Sequence, residues 1–237
     1  YRQTKRFKIP YTFAEVVSVE KLAEEHFLIH TTDGDYEAKR VIWAAGTIAK
    51  LLNAKNEQEF VGRGISYCAI CDGSFHEKQD VVVIGGGNSA LEEALYLAKI
   101  CNKVTIITRG HQFRADKVLM EKARNNEKIV LIEHHETISF DGSTLLEKVV
   151  IRDRDTGQIT ELSARGAFIY IGFTPSSTIL SNFDILNDEK YIVVDQNCET
   201  KVKGLYAAGD CIEKQVRQIA TAVADGISCA SAIIKKF

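Results

Sequence analysis

The segment from Asp80 to Ala98 constrains this chain more than any other. Val81-Val82-Val83-Ile84 is followed by Gly85-Gly86-Gly87-Asn88-Ser89-Ala90, and then by apolar residues at Leu91, Ala94, Leu95 and Ala98. A short run without polar residues reads as a strand buried on both faces of a parallel sheet. The later spacing has the period of a helix with one apolar face. Val104–Thr108 repeats the buried-strand pattern, so strand, glycine turn, helix and strand fit within about 30 residues, the size of a βαβ unit. The turn fits G-x-G-x-x-A. Gly85 permits the tight bend, Gly87 leaves room for a pyrophosphate, and Ala90 lets helix and strand close together. Asn88 and Ser89 stand at the exit, where the free N–H groups of a helix start face phosphates. A dinucleotide site is therefore expected; a glycine turn that serves packing alone is the alternative.

The end of the second strand selects the nicotinamide. NAD sites place a carboxylate there, about 20 residues on, to hold the ribose 2′-OH. Here Thr108 is followed by Arg109-Gly110-His111-Gln112-Phe113-Arg114, with no carboxylate and two arginines. Guanidinium groups match phosphate oxygens two at a time, so NADP is expected over NAD. The competing reading makes Arg109 and Arg114 a solvated basic face.

Cys68-Ala69-Ile70-Cys71, followed by Asp72-Gly73, lies just before the buried strand. Three readings stay open. A structural zinc ion needs four ligands, but a second pair is missing and His76, His134 and His135 form no evident complement; no metal site is expected. Two inert cysteines are the bland reading. A redox dithiol is favoured, because C-x-x-C beside a βαβ unit is the spacing at which two sulfurs bridge and exchange. Asp72 then suits proton transfer as the pair opens; its alternative is an Asx-turn residue before Gly73. Cys101, Cys198, Cys211 and Cys229 are scattered, which suits a reducing cytoplasm. Cys101 reads as a small core hydrophobe, Trp43 as core, and His134–His135 as surface.

The remaining chain reads as alternating strands and helices. Strands are expected at Thr12–Val19, Phe27–Thr32 and Tyr36–Ile42, with a hairpin turn at Asp33–Gly34. Val41–Gly46 ends in small residues, including Ala45 and Gly46, as strands do where backbone approaches a ligand. Residues 47–65 read as a loop and linker. Further on, Asp116–Asn126 reads as helix, and Ile129–Glu133, Leu146–Asp153, Glu161–Tyr170, Tyr191–Val194 and Gly204–Ala208 as strands. A helix closes the chain from about Arg217 to Lys235. The fold class is α/β with two nucleotide-type sheets. A net charge of −2 excludes a general nucleic-acid binder. No run reaches 18 apolar residues, so no membrane span is expected, and the opening YRQTKRFKIP has no signal-peptide core.

Taken in order, Cys68–Gly73, Gly85–Glu93, and Ala207-Ala208-Gly209-Asp210 with Arg217-Gln218 downstream resemble the bacterial-type low-molecular-weight thioredoxin reductases, from about Phe13 onward. The resemblance implies two three-layer nucleotide-binding domains with parallel sheets. An FAD domain would comprise residues 1–49 and 173–237, and an NADPH domain, residues 50–172, would be inserted in it with the redox pair. It implies electron flow from NADPH to FAD, to the Cys68–Cys71 disulfide, and then to thioredoxin. Cys71 would face the flavin, Cys68 would attack thioredoxin, and Asp72 would be the acid. Gly209 and Asp210 would hold the ribitol and phosphate side of the flavin, with Arg217 and Gln218 near its isoalloxazine; Ala45, Gly46, Gly172 and Ile219 would also bind cofactor, and a homodimer is implied.

Three features depart from that family. Its own N-terminal strand–GxGxxG–helix unit for FAD has no counterpart, so the chain is expected to start inside the FAD domain. Gly110 stands where a second adjacent arginine is usual. Ala44-Ala45-Gly46 replaces Ala-Thr-Gly. Two other readings follow: a flavoprotein reductase serving a peroxiredoxin or other disulfide partner, and a non-catalytic NADP-binding fragment.

Overall fold

The computed structural model describes residues 5–236. Residues Ala49–Gly172 form one compact unit; the described residues up to Ile48 and from Phe173 form another. The fold is mixed α/β with parallel sheets. No described helix is long and apolar enough to cross a membrane.

The Ala49–Gly172 unit is built on five parallel strands. These are β6 (Ile65–Ser66), β7 (Asp80–Ile84), β8 (Lys103–Ile107), β9 (Ile129–Ile132) and β13 (Gly166–Ile169), in the order β6-β13-β7-β8-β9. All four apolar residues of β7 are at most 5% exposed, and alternation sends them to opposite faces. Val81 and Val83 pack with Leu91, Ala94 and Leu97 of α2 (Asn88–Leu97) and Ala123 of α3 (Lys117–Arg124). Val82 and Ile84 join Phe140, Val149 and Ile151 on the other face. Those three residues belong to an antiparallel sheet of β10 (His135–Gly142), β11 (Leu146–Asp153) and β12 (Ile159–Ser163). Each fully buried Val or Ile here contributes about 1.5–3 kcal/mol, so the continuous apolar run holds both layers to the sheet.

In the other unit, β1 (Val16–Ala23), β2 (His26–Thr31) and β3 (Gly34–Ala38) form an antiparallel sheet, with Thr31 paired to Gly34 at the expected hairpin turn. β4 (Val41–Trp43) pairs in parallel with β15 (Leu205–Ala207). Phe27, Trp43, Leu205 and Ile192 share one core, while Cys229 of α4 (Ile219–Ile234) packs with Cys198 and Tyr206. β5 (Thr47–Ala49) and β14 (Phe173–Pro175) pair with one another in a two-stranded sheet.

Several expectations need correction. Residues 47–65 are not a loose linker: Phe60 is 2% exposed and the buried Glu57 carboxylate accepts the Leu52 N–H at 3.0 Å. The expected strand Tyr36–Ile42 is two strands in different sheets, because Val41 N–H turns to the Gly204 carbonyl. Glu161–Tyr170 likewise divides into β12 and β13, where Arg165 N–H bonds the Asp80 carbonyl. Tyr191–Val194 makes only isolated bridges at Ile192. There the Asn187 side chain takes the Tyr191 N–H and the Asp195 side chain takes those of Asn197 and Glu199, and such local bonds compete with a ladder. β1 begins at Val16 rather than Thr12.

Candidate functional site

In the Ala49–Gly172 unit two turns hold the candidate site residues. Cys68 and Cys71 form a disulfide, with Cα atoms 5.3 Å apart. It closes a single helical turn, α1 (Ala69–Asp72), which Cys68 caps: its Sγ accepts the Cys71 N–H at 3.2 Å. Ser66 anchors the turn from β6. Its hydroxyl donates to Asp72 Oδ2 at 2.6 Å and accepts the Cys68 N–H at 3.1 Å. Tyr170 anchors it from the end of β13, its hydroxyl accepting the Ala69 N–H at 2.6 Å. Burial pushes the Tyr170 phenol well above its ordinary range, so it stays protonated with its own proton free to donate. Glu93 on α2 is also pushed up, by burial first and Glu92 second, and its buried Oε2 has no hydrogen-bond partner. A cavity of about 300 Å³, lined by Arg63, Ser66, Asp72, Phe75, His76 and Arg165, opens beside the Asp72 side chain.

The glycine turn has the shape the spacing requires. A Cβ on Gly85 would lie 2.3 Å from the Tyr170 carbonyl oxygen, whereas one on Gly87 would meet nothing within 4 Å. Gly85 is thus fixed by packing against its neighbours and Gly87 borders open space. Ala90 is buried; Asn88 and Ser89 are exposed at the start of α2, which no side chain caps. Unpaired N–H groups facing an open cradle suit a pyrophosphate. The Asn88 side chain is used locally, bonding Asp116 Oδ2 at 2.9 Å while accepting the Asp116 N–H at 2.8 Å. Arg114 N–H donates to the Gly86 carbonyl at 2.6 Å. These bonds stitch the loop with Arg109 and Arg114, both exposed, to the glycine turn. Gly172, with φ +104°, accepts the Lys50 N–H at 3.0 Å.

His134 and His135 are not simple surface residues. His134 Nε2 lies 3.0 Å from Asp155 Oδ1, its ring stacks on His111 with centroids 3.6 Å apart, and its buried Nδ1 is unpartnered. His135 opens β10, its Nδ1 at 2.7 Å from the Glu133 carbonyl. His111, His134 and Asp155 have ligand atoms within 4.8 Å of one another. The two rings are nearly parallel, at 13°, so their lone pairs lie in separate planes and do not converge on one ion.

In the other unit, β4 and β15 end side by side, with Ala208 N–H bonded to the Trp43 carbonyl at 3.0 Å. This brings Ala45 and Gly46 beside Gly209 and Asp210, outside the carboxyl ends of parallel strands, where open α/β sheets bind ligands. Gly46 has φ +68° and its carbonyl accepts the Ser176 N–H. Asp210 Oδ1 is buried without a hydrogen-bond partner; Lys214 Nζ stands 3.7 Å away. Asp225 of α4 accepts the Gly209 N–H at 3.1 Å and a Lys214 proton at 2.6 Å. Arg217 donates to the Asp210 and Ile212 carbonyls and lies over the Tyr191 ring. Gln218 caps α4 in a reciprocal pair with Thr221, and Ile219 is 85% exposed at its first position. Trp43 is core, its Nε1 bonding the Ser176 carbonyl. Cys211 is fully buried, its Sγ against the Trp43 and Ala208 carbonyls.

Sequence spacing missed Ser66 and Lys214, which lie close to the motifs but belong to none of them, and Tyr170 and Asp225, which tertiary folding delivers from other elements. It also missed Arg154, whose guanidinium donates to the Arg109 carbonyl at 3.2 Å.

A nucleotide-type sheet with its own disulfide one strand away defines a class, the dinucleotide-fold disulfide oxidoreductases. The chain belongs to the pyridine nucleotide-disulphide oxidoreductase family, which its residues 3–226 match. Among curated proteins it is similar to the thioredoxin reductase of Bacillus subtilis (strain 168), 38% identical over 239 residues that span 98% of this chain and 74% of that one. It is also similar to the thioredoxin reductase of Peptoclostridium litorale, 42% identical over 199 residues, 81% of this chain and 63% of that one. The crystal structure of thioredoxin reductase from Streptococcus pyogenes MGAS5005 superimposes with a TM-score of 0.92 at 35% identity, over 100% of this chain and 78% of that one.

Proposed function

We propose that this chain is a thioredoxin-disulfide reductase: electrons pass from NADPH through FAD to the Cys68–Cys71 disulfide and then to thioredoxin. The observation that carries the reading is the pairing, within one unit, of that disulfide with an uncapped helix start over the open Gly87 cradle. Relatives named thioredoxin reductase support the choice of partner. The reading takes residues 50–172 as the NADPH domain and the remainder as the FAD domain, and includes a homodimer and a cytoplasmic setting.

The residues fit both nucleotides. Gly87 and the start of α2 suit the pyrophosphate of NADPH. The orphaned Asp210 Oδ1 beside Gly209, at the ends of β4 and β15, suits a hydroxyl donor such as the ribitol of FAD. Bound flavin supplies the exchange between a hydride donor and a two-electron disulfide.

The chain's own groups do the rest. Opening the disulfide takes two electrons and leaves thiolates at Cys68 and Cys71. The Cys71 N–H that points at Cys68 Sγ favours charge on that sulfur. Cys68 thiolate then attacks the partner's disulfide, forming a mixed disulfide and expelling one partner thiolate. Cys71 thiolate attacks the Cys68 sulfur, re-forms the internal disulfide and releases the second. Asp72, held by Ser66, is placed to pass a proton to the departing sulfur.

The test is trapping. Cys71→Ser should accumulate a mixed disulfide between Cys68 and thioredoxin, seen as an added mass under non-reducing conditions. Cys68→Ser should form none while still consuming NADPH to reduce flavin. Full turnover in Cys68→Ser would overturn the assignment.

A further inference from the structure

The loop after β8 carries Arg109-Gly110-His111, so Arg109 has no adjacent second arginine. The structure brings a different guanidinium against the backbone of this loop. Arg154 lies on the turn between β11 and β12, and its Nη1 donates to the Arg109 carbonyl at 3.2 Å, across 45 residues of sequence. The turn itself is tightly specified. Asp153 Oδ1 accepts the N–H groups of Asp155 at 2.8 Å and Thr156 at 2.9 Å. Arg154 N–H bonds the His134 carbonyl at 3.0 Å, and His134 N–H bonds the Gly110 carbonyl at 2.8 Å. His134, held at φ +54°, is paired with Asp155 on one side and stacked under His111 on the other. Backbone and side chain of the hairpin are thus both fastened to the loop.

We infer that Arg154 is a specificity-determining residue, supplying with Arg109 the second guanidinium for the 2′-phosphate of NADPH in place of a side chain at position 110. The inference rests on the nucleotide reading proposed above. One of the five N–H donors of Arg154 is used on the Arg109 carbonyl, which fixes the head beside Gly110. The planar fork is suited to phosphate oxygens, and its charge is permanent. Arg109 and Arg114 are exposed on the same loop, where each can add a contact to a phosphate dianion.

The experiment titrates the full-length protein with two probes, 2′,5′-ADP and 5′-AMP, by calorimetry, in the wild type, Arg154→Gln and Arg154→Lys. The wild type is expected to bind 2′,5′-ADP at least about tenfold more tightly than 5′-AMP, the scale of charge-assisted bonds to one phosphate. Arg154→Gln should lose most of that ratio through weaker 2′,5′-ADP binding, with 5′-AMP unchanged. Arg154→Lys should recover part of it. The residue is exposed, and an unchanged melting temperature confirms that the variants are folded. An unaltered ratio in Arg154→Gln overturns the role of Arg154 and leaves the nucleotide site standing. A wild type that binds both probes equally overturns the 2′-phosphate subsite altogether. A wild type that binds neither overturns the nucleotide reading itself, and this inference with it.

Discussion

The Tyr170 hydroxyl accepts the Ala69 N–H at 2.6 Å, while the Tyr170 backbone N–H bonds Ile84 at 2.7 Å. One residue therefore fastens the disulfide turn to the strand that feeds the glycine turn. Ala69 is fully buried, so its N–H has no ready substitute partner. Tyr170→Phe keeps the packing and removes the acceptor, which should cost about 1–3 kcal/mol. Urea unfolding measures it; a loss under about 0.5 kcal/mol would show that water takes over the bond.

Gly85 and Gly87 should respond oppositely to alanine. At Gly85 the added carbon meets the Tyr170 carbonyl at 2.3 Å, and the backbone there has φ +153°. Stability should fall by roughly 2–4 kcal/mol. At Gly87 the added carbon meets no protein atom. Stability should stay within about 0.5 kcal/mol of wild type, while nucleotide affinity drops about tenfold or more because the cradle is filled. Melting curves paired with NADP titrations separate the two; equal loss of stability would refute the distinction.

The cysteines should divide by reactivity. Burial pushes the thiols of Cys101 and Cys229 up to about 11, and those of Cys198 and Cys211 upward as well. At pH 8 all four stay protonated and enclosed. After mild reduction, iodoacetamide should label Cys68 and Cys71 within minutes and the others only on unfolding. Peptide mass mapping over time reads the outcome, and rapid labelling of Cys211 would contradict it.

The Asp153 turn should loosen in acid. Backbone N–H groups, first that of Thr156 and then that of Asp155, hold its carboxyl below the ordinary 3.8. A depressed folded value means that the stabilisation is present above about pH 4 and is lost as the pH falls through the folded value. Amide exchange at Asp155 and Thr156 should therefore accelerate below about pH 4 relative to the β11 interior. Asp153→Ala should show the faster exchange already at neutral pH.

Much of the dinucleotide unit was legible because β7 and α2 announce themselves through local periodicity. Val81–Ile84 is apolar on both faces since both faces are covered, and the glycines are local geometry. The cysteine pair was legible for the same reason: its partners are three residues apart. What escaped depends on pairings that apolar periodicity does not display. Nothing near Arg154 in sequence announces its bond to Arg109, and β10 was unforeseen because its identity comes from pairing with β11. Tyr191–Val194 looked like a strand by composition, yet the Asn187 and Asp195 side chains bond the flanking amides.

The parallel pairing of β4 with β15, Val41 beside Leu205, also orders events during synthesis. β4 leaves the ribosome long before its partner is made. At about 5–20 residues per second the wait is roughly ten to thirty seconds. Within that interval the whole of Ala49–Gly172 is made, a segment whose ends are already joined through Lys50 and Gly172. β1, β2 and β3 can pair with one another at once, but β4 stays without its partner, and Trp43 and Phe27 without Leu205, until β15 is made. A pause or truncation before β15 is made would therefore leave a finished Ala49–Gly172 unit attached to a sticky, half-built second one, and chaperone demand should concentrate on that second unit.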